Sequence, residues 1–266
     1  MNHWQADGGF GLHVFHKNNE IAGYCSVLHA MQLAGITGSY GRRLRAAVIG
    51  FGATARGAVT ALNAHGVDDV RVLTNREIAA VGSPIHSTQI IQMGRDPDTP
   101  EKTWADMPGG PIPVARVLAD NDMVVNCVLQ DPDAPLIFVT EEDLAAFTTG
   151  SLIIDVSCDE AMGFSWARPT SFEHPTFTVG DNITYYAVDH SPSYLWNSAT
   201  GRSARRCCRI SRRFLRACGV ECGPDDRTGN RDPRRRRSQP RHPVVSAPRR
   251  CLSAPCQQVT APSSSA

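Results

Sequence analysis

Short apolar runs alternate along this chain with stretches in which apolar residues recur every three or four positions. That alternation predicts strands interleaved with helices. After a glycine-rich start, Ile21, Tyr24, Cys25, Leu28 and Met31 fall at helical spacing, with Asn18 or Asn19 as the expected cap and Gly35 near the expected end. Residues 46–49 (AAVI) form a continuous apolar run of the kind buried on both faces of a sheet. Residues 53–64 suit a helix closed by Gly66, and residues 70–73 (VRVL) are a second short strand. Strand, glycine turn, helix and strand together have the length of a βαβ unit. Prolines 84, 97, 100, 108, 111 and 113 argue against long helices between residues 77 and 122, where a strand at 112–115 and a short helix near Val117 are expected. Strands are expected again at 123–128, 152–156 and 184–188, with a helix at 141–147 capped by Thr140. The pattern implies an α/β fold of Rossmann type, a doubly wound and mostly parallel sheet covered on both faces.

Charge divides the chain. Residues 1–200 carry 11 basic and 22 acidic side chains, whereas residues 201–266 carry 16 Arg, no Lys and 4 acids. Six of the 9 cysteines also crowd that last part. The expected organisation is an N-terminal segment and linker helix over 1–40, a Rossmann-type domain over 41–200, and a disordered Arg-rich tail over 201–266. Two origins of the tail are open. A basic arm would release counterions from phosphate, while a displaced reading frame of GC-rich coding sequence would give the same Arg, Pro, Ser and Cys usage. The absence of Lys favours the displaced frame, so a nucleic-acid partner is not expected.

No stretch approaches the roughly 18 consecutive apolar residues of a membrane-spanning helix, so no membrane partner is expected. The first 20 residues have neither the basic and apolar stretches of a secretory signal nor the composition of a transit peptide, which points to the cytoplasm. Cys25, Cys127 and Cys158 are isolated and fit buried thiols.

The sharpest chemical signal is VIGFGATARG at 48–57. Gly50 permits a tight turn, Gly52 lets the backbone approach a pyrophosphate, and Ala55 takes the third, small position of a G-x-G-x-x-G/A turn. Ala53 opens the following helix, whose free N–H groups and positive dipole end face the phosphates. A turn of this kind without a ligand is the alternative reading. At the end of the second strand, Thr74, Asn75 and Arg76 stand where a NAD-preferring fold has an acid for the ribose 2′-hydroxyl. Their chemistry suits the 2′-phosphate of NADP, so NADP(H) is the preferred cofactor and NAD the alternative. Asn126, Val128 and Leu129 follow the third strand and are expected to line the nicotinamide site. Asp159 follows the fourth, where a carboxylate can orient an amine or move a proton. Asp155 reads as a structural strand-end acid. His190 is an acid/base candidate or a turn residue, and no metal-ligand spacing accompanies it.

The segments KNNEIAGYCSVLHAMQLAG, YGRRLRAAVIGFGATARGAV, NCVLQDPDAP, LIIDVSCDEAMGFSWARPTSF and YYAVDHSPSYLWNSAT together resemble the alanine dehydrogenase and pyridine nucleotide transhydrogenase family, in its carboxyethylornithine synthase-like branch. The resemblance implies reductive amination of a 2-oxo acid, or its reductive condensation with an amine, with Asp159 as the carboxylate at the nicotinamide edge and a homo-oligomeric assembly. It also implies that a substrate domain preceding the helix near Asn18, and a helix following NSAT, are missing, so that the chain is a cofactor domain cut at both ends. The alternatives are a catalytically inactive NAD(P)-binding module and one subunit of a split enzyme.

Overall fold

The computed structural model describes residues 15–75, 88–95, 102–133 and 135–201. The tail beyond Gly201, the start before Phe15 and Arg76 lie outside the described residues.

Strand β1 (Arg45–Ile49) is the centre from which the sheet is wound in both directions. On one side lie β2 (Asp69–Thr74) and β3 (Thr88–Arg95), both parallel to their neighbours, then β4 (Thr103–Met107) and β5 (Gly110–Pro113), which are antiparallel. On the other side lie β6 (Met123–Asn126), a short separate strand β7 (Ile137–Val139), and β8 (Leu152–Asp155). Strand β9 (Gly163–Phe164) pairs with β7 alone. Strand β11 (Ile183–Tyr186) joins β8 in parallel, and β10 (Thr176–Val179) closes that edge antiparallel to β11. The order of the nine-stranded sheet is β10-β11-β8-β6-β1-β2-β3-β4-β5. Its six central strands are parallel, as the continuous apolar runs predict, and the topological switch falls between β1 and β6.

Those runs are continuous because both faces of the sheet are buried. Alternate residues of each strand serve different cores: Ala46 and Val48 of β1 face one, Ala47 and Ile49 the other. The first core holds Val70, Val72, Met123, Val125, Leu152 and Ile154 under α1 (His16–Ala34) and α2 (Ala53–Ala64). The second collects Leu73, Val124, Ile153 and Tyr185 beneath α3 (Val114–Ala119) and a 3-10 helix at Glu142–Ala146. Burying each Val, Leu or Ile contributes about 1.5–3 kcal/mol.

Helix α1 meets α2 through its small residues. Its buried face is Gly23, Cys25, Ser26, Val27, Ala30 and Met31, while Ile21, Tyr24 and Leu28 are only half-buried. A Cβ on Gly57 would lie 1.8 Å from the Glu20 carbonyl oxygen, so only glycine admits this crossing. The helix begins before Asn18, with Phe15 at its N-cap and no side-chain cap, and ends at a left-handed Gly35 as expected. The expected asparagine cap is therefore corrected.

Three further expectations change. Within residues 141–147 only Glu142–Ala146 are helical, as a five-residue 3-10 helix, with the Asp143 carboxylate accepting from both the N–H and the hydroxyl of Thr140, in place of an α-helix capped by Thr140. The proline-rich stretch supplies β4 and β5, the prolines of β5 sitting on the sheet's edge strand, where a missing N–H costs no ladder bond. The last parallel strand is Ile183–Tyr186, one residue earlier at its start and two shorter at its end. Among the described residues no helix is long and apolar enough to cross a membrane.

Candidate functional site

The site lies at the carboxyl edge of the parallel strands, at the switch between β1 and β6. Here Gly50 leaves β1 with φ +105°, and its N–H donates to the Leu73 carbonyl at 2.7 Å, holding the turn against the end of β2. A Cβ at this residue would stand 3.2 Å from Val128 Cγ2 and 3.3 Å from the Cys127 carbonyl oxygen. Both the backbone angle and the space demand glycine. Gly52 is different: its φ of −82° suits any residue, and a Cβ there would meet nothing within 4 Å. Its bareness leaves the approach to the start of α2 open. No side chain caps α2 at Gly52, so the first-turn N–H groups of Ala53, Thr54 and Ala55 are available to an anion. Ala55 itself is fully buried in the core. An open cradle above an uncapped helix start, at the switch point, fits a dinucleotide pyrophosphate.

Beyond the turn, Thr74 is buried at the end of β2 while Asn75 is exposed. Asn75 lines a cavity of about 200 Å³ with Gly50, Val128, Leu129 and Arg95. Arg95, at the end of β3, is a cation that sequence reasoning missed. Its strand is parallel to β2, so the fold brings it to the same edge across 20 residues of chain. Only the assignment of β3 could have revealed this, and the β-branched and apolar residues 90–91 were the available signal.

On the β6 side, Asn126 is buried and both ends of its amide are committed. Its Nδ2 donates to Asp155 Oδ1 at 3.0 Å, and its Oδ1 accepts the Val128 N–H at 3.2 Å. It acts on the crevice through Val128, which is half-buried, and through Leu129, which is 84% exposed. Asp155 Oδ1 also accepts the backbone N–H groups of Ser157 at 3.2 Å and Cys158 at 3.3 Å, and Oδ2 accepts the Tyr185 hydroxyl at 2.7 Å. The Ser157 hydroxyl donates to the Val128 carbonyl at 2.7 Å. Burial pushes the Asp155 carboxyl up to about 6, against the opposing pull of these four donors. Its partners lie up to 30 residues away, which is why its hub position was hidden in the sequence.

Asp159 follows on the same loop, half-buried. Burial, and then the negative charge of Asp189, raise its carboxyl above the ordinary range. Asp189 accepts the His190 N–H at 2.6 Å and pairs with the exposed His190 ring, Nε2 to Oδ2 3.2 Å. His190 has a left-handed φ of +56°, so it marks a tight turn as well as an ionisable group. Cys158 lies between the carboxylates, its Sγ 4.0 Å from Asp189 Oδ1; burial and then the charges of Asp189, Asp155 and Asp159 push its thiol up to about 12. Burial and the Asp155 charge push the Cys127 thiol up as well. Both thiols are neutral at physiological pH and unsuited to nucleophilic work. The structure thus brings Gly50, Gly52, Ala53, Asn75, Val128, Leu129 and Asp159 to one edge, sets Ala55, Thr74 and Asn126 beneath it, and adds Arg95, Asp155 and Asp189.

The family described as alanine dehydrogenase/PNT, C-terminal domain, matches residues 29–214. Alanine dehydrogenase of Geobacillus stearothermophilus is 32% identical over 88 residues, 33% of this chain and 23% of that protein. That of Mycobacterium tuberculosis is 29% identical over 79 residues, 30% of this chain and 21% of that protein. N(5)-(carboxyethyl)ornithine synthase of Clostridium botulinum is 23% identical over 184 residues, 69% of this chain and 46% of that protein. The matched part spans less than half the length of each of these curated relatives. In fold, the chain is similar to an L-alanine dehydrogenase (TM-score 0.54, 18% identity, 74% of this chain and 54% of that one). It is likewise similar to a transhydrogenase from Sinorhizobium meliloti (TM-score 0.55, 16% identity, 76% and 56%). The family match spans well over half of the sequence, and the chain belongs to the alanine dehydrogenase/PNT family through that family's C-terminal, pyridine-nucleotide-binding domain.

Proposed function

We propose that this chain binds NADP(H) in preference to NAD(H) and serves the reductive amination of a 2-oxo acid, or its reductive condensation with an amine. The observation that carries the reading is the glycine turn: Gly50 in a conformation only glycine holds easily, then Gly52 with open space where its side chain would be. In this reading the N–H groups at the start of α2, from Ala53 onward, hold the pyrophosphate, and Ala55 lets that helix sit close to the sheet. Thr74, Asn75 and Arg76 form the adenosine end, and Arg95 adds a cation for a 2′-phosphate. Asn126 sets Val128 and Leu129 along the nicotinamide side. When bound, the dinucleotide supplies the hydride for reduction of a carbon–nitrogen double bond. Asp159 orients the amine and moves a proton at its nitrogen, a task to which its raised carboxyl is suited. Residues 41–200 are the cofactor domain of this reading, 1–40 carry the linker helix, and 201–266 are a tail outside it. Relatives' names supply the substrate class, and a homo-oligomer in the cytoplasm is the expected setting.

Calorimetric titration of the purified chain with NADPH and NADH tests the reading, alongside Gly52→Asp, which places a negative charge in the phosphate approach. Tighter binding of NADPH, lost in the variant, is the expected result; folded protein that binds neither cofactor would overturn it. The alternative is a binding module without turnover, or one subunit of a split enzyme. Cofactor binding without oxidation of NADPH in the presence of a 2-oxo acid and an amine would select it.

A further inference from the structure

Asp155 is fully buried, yet every hydrogen bond its carboxyl makes among the described residues is one it accepts. The donors are Asn126 Nδ2, the N–H groups of Ser157 and Cys158, and the Tyr185 hydroxyl, whose own oxygen accepts the Arg168 N–H. A protonated carboxyl would keep all four contacts only by turning the Tyr185 hydroxyl from donor to acceptor, so the bonds as they stand are those of a carboxylate. No Lys, Arg or His side chain among the described residues pairs with it. The other groups facing it do not compensate: Cys127 after β6, Cys158 after β8 and Tyr185 on β11 are held neutral, and Asp159 and Asp189 carry further negative charge. Among the described residues the fold therefore presents an anion without a counter-charge at the carboxyl ends of β6, β8 and β11.

A nicotinamide ring is cationic when oxidised and neutral when reduced. We infer that Asp155 is a positioning residue whose buried charge makes the site prefer the oxidised cofactor to the reduced one, an inference that rests on the cofactor reading above. By linkage, a site that binds the oxidised form more tightly makes the reduced form a stronger hydride donor while bound. The same carboxylate fixes the Val128 loop and the Asp159 loop to each other, so the charge and the groups that use it are set by one residue.

The test is a comparison of NADP⁺ and NADPH dissociation constants for the full chain and for Asp155→Asn. The variant keeps the oxygen that accepts three of the four bonds, and its amide can donate to a turned Tyr185 hydroxyl, so the fold is retained. The expected result is a loss of about tenfold in affinity for NADP⁺ with NADPH changed less than twofold, the order of effect of one unit charge across a protein edge. Tyr185→Phe removes a donor and keeps the charge, so it retains the preference. An equal change for both forms in Asp155→Asn would reduce the residue to a purely structural one and overturn the inference while leaving the cofactor reading intact. No binding of either form to the wild-type chain would overturn both. If the variant fails to fold, the wild-type ratio measured between pH 7.5 and 5.5 decides. Decline of the preference at low pH, persisting in Asp159→Asn, supports the inference, and a ratio independent of pH overturns it.

Discussion

Gly23 of α1 faces Thr54 of α2 so closely that a methyl group on Gly23 would stand 2.0 Å from the Thr54 carbonyl oxygen. The two helices touch backbone to backbone, on the turn of α2 that follows the phosphate approach. Gly23→Ala or Gly57→Ala therefore forces them apart, and each is expected to cost about 1–3 kcal/mol or more of stability. Gly109→Ala, at a position with open space and no positive φ, is the control and should shift stability by less than about 0.5 kcal/mol. Urea unfolding of the three variants measures the difference; equal midpoints would mean that the helices do not meet as described.

The two glycines of the turn should separate stability from binding. Gly50→Ala meets both a positive φ and a contact at 3.2 Å, so it is expected to destabilise the fold by about 1–3 kcal/mol. Gly52→Ala meets neither, and should keep the melting temperature nearly unchanged while weakening dinucleotide binding. Loss of stability in Gly52→Ala comparable to that in Gly50→Ala would remove the distinction.

Arg95 provides a test of cofactor choice at the adenosine end. Arg95→Ala is expected to lower NADPH affinity about tenfold, the order of one charge-assisted hydrogen bond to phosphate, and to leave NADH affinity within about twofold. Parallel titrations with both reduced cofactors measure it. Equal losses for the two would place Arg95 away from any 2′-phosphate.

Asp155 gives a pH dependence of stability with a definite sign. Its carboxyl is raised from 3.8 to about 6 by folding, so the folded state binds the proton more tightly than the unfolded chain does. The resulting stabilisation is complete below about 3.8 and is lost as pH rises through 6, a span worth about 3 kcal/mol. Asp155→Asn lacks this dependence. Relative to the variant, the wild-type chain should lose stability between pH 4 and pH 8, as measured by urea midpoints of both proteins at each pH. A wild-type chain that gains on the variant over that range would contradict the burial of this charge.

The parallel core was legible because strands buried on both faces are written as unbroken apolar runs, as in residues 46–49 and 152–154. The glycine turn was legible for a related reason: its demands are local. What escaped was set by contacts distant in sequence. Strand β3 mixes Gln89 and Gln92 with apolar residues because it lies towards the sheet's margin, where burial is partial. The helical spacing of Ile21, Tyr24 and Leu28 marked α1 but misplaced its inner face. A backbone-close crossing buries glycine and alanine, which hydrophobic periodicity weighs lightly. At the site, Asp155 reads from sequence as a structural strand-end acid, set apart from Asp159. Its burial and its bond to the Tyr185 hydroxyl make it the centre of a network, and neither is written nearby in the chain.

The network around Asp155 also bears on how the edge breathes. Val128, Ser157 and Cys158 belong to loops that follow different strands, but each answers through its backbone to the same side chain, directly or by way of Asn126. Their amides should then exchange with solvent in a single cooperative opening, not as independent frayed loops. A crevice hinged in that way opens for both loops at once, and whatever leaves it waits on one event.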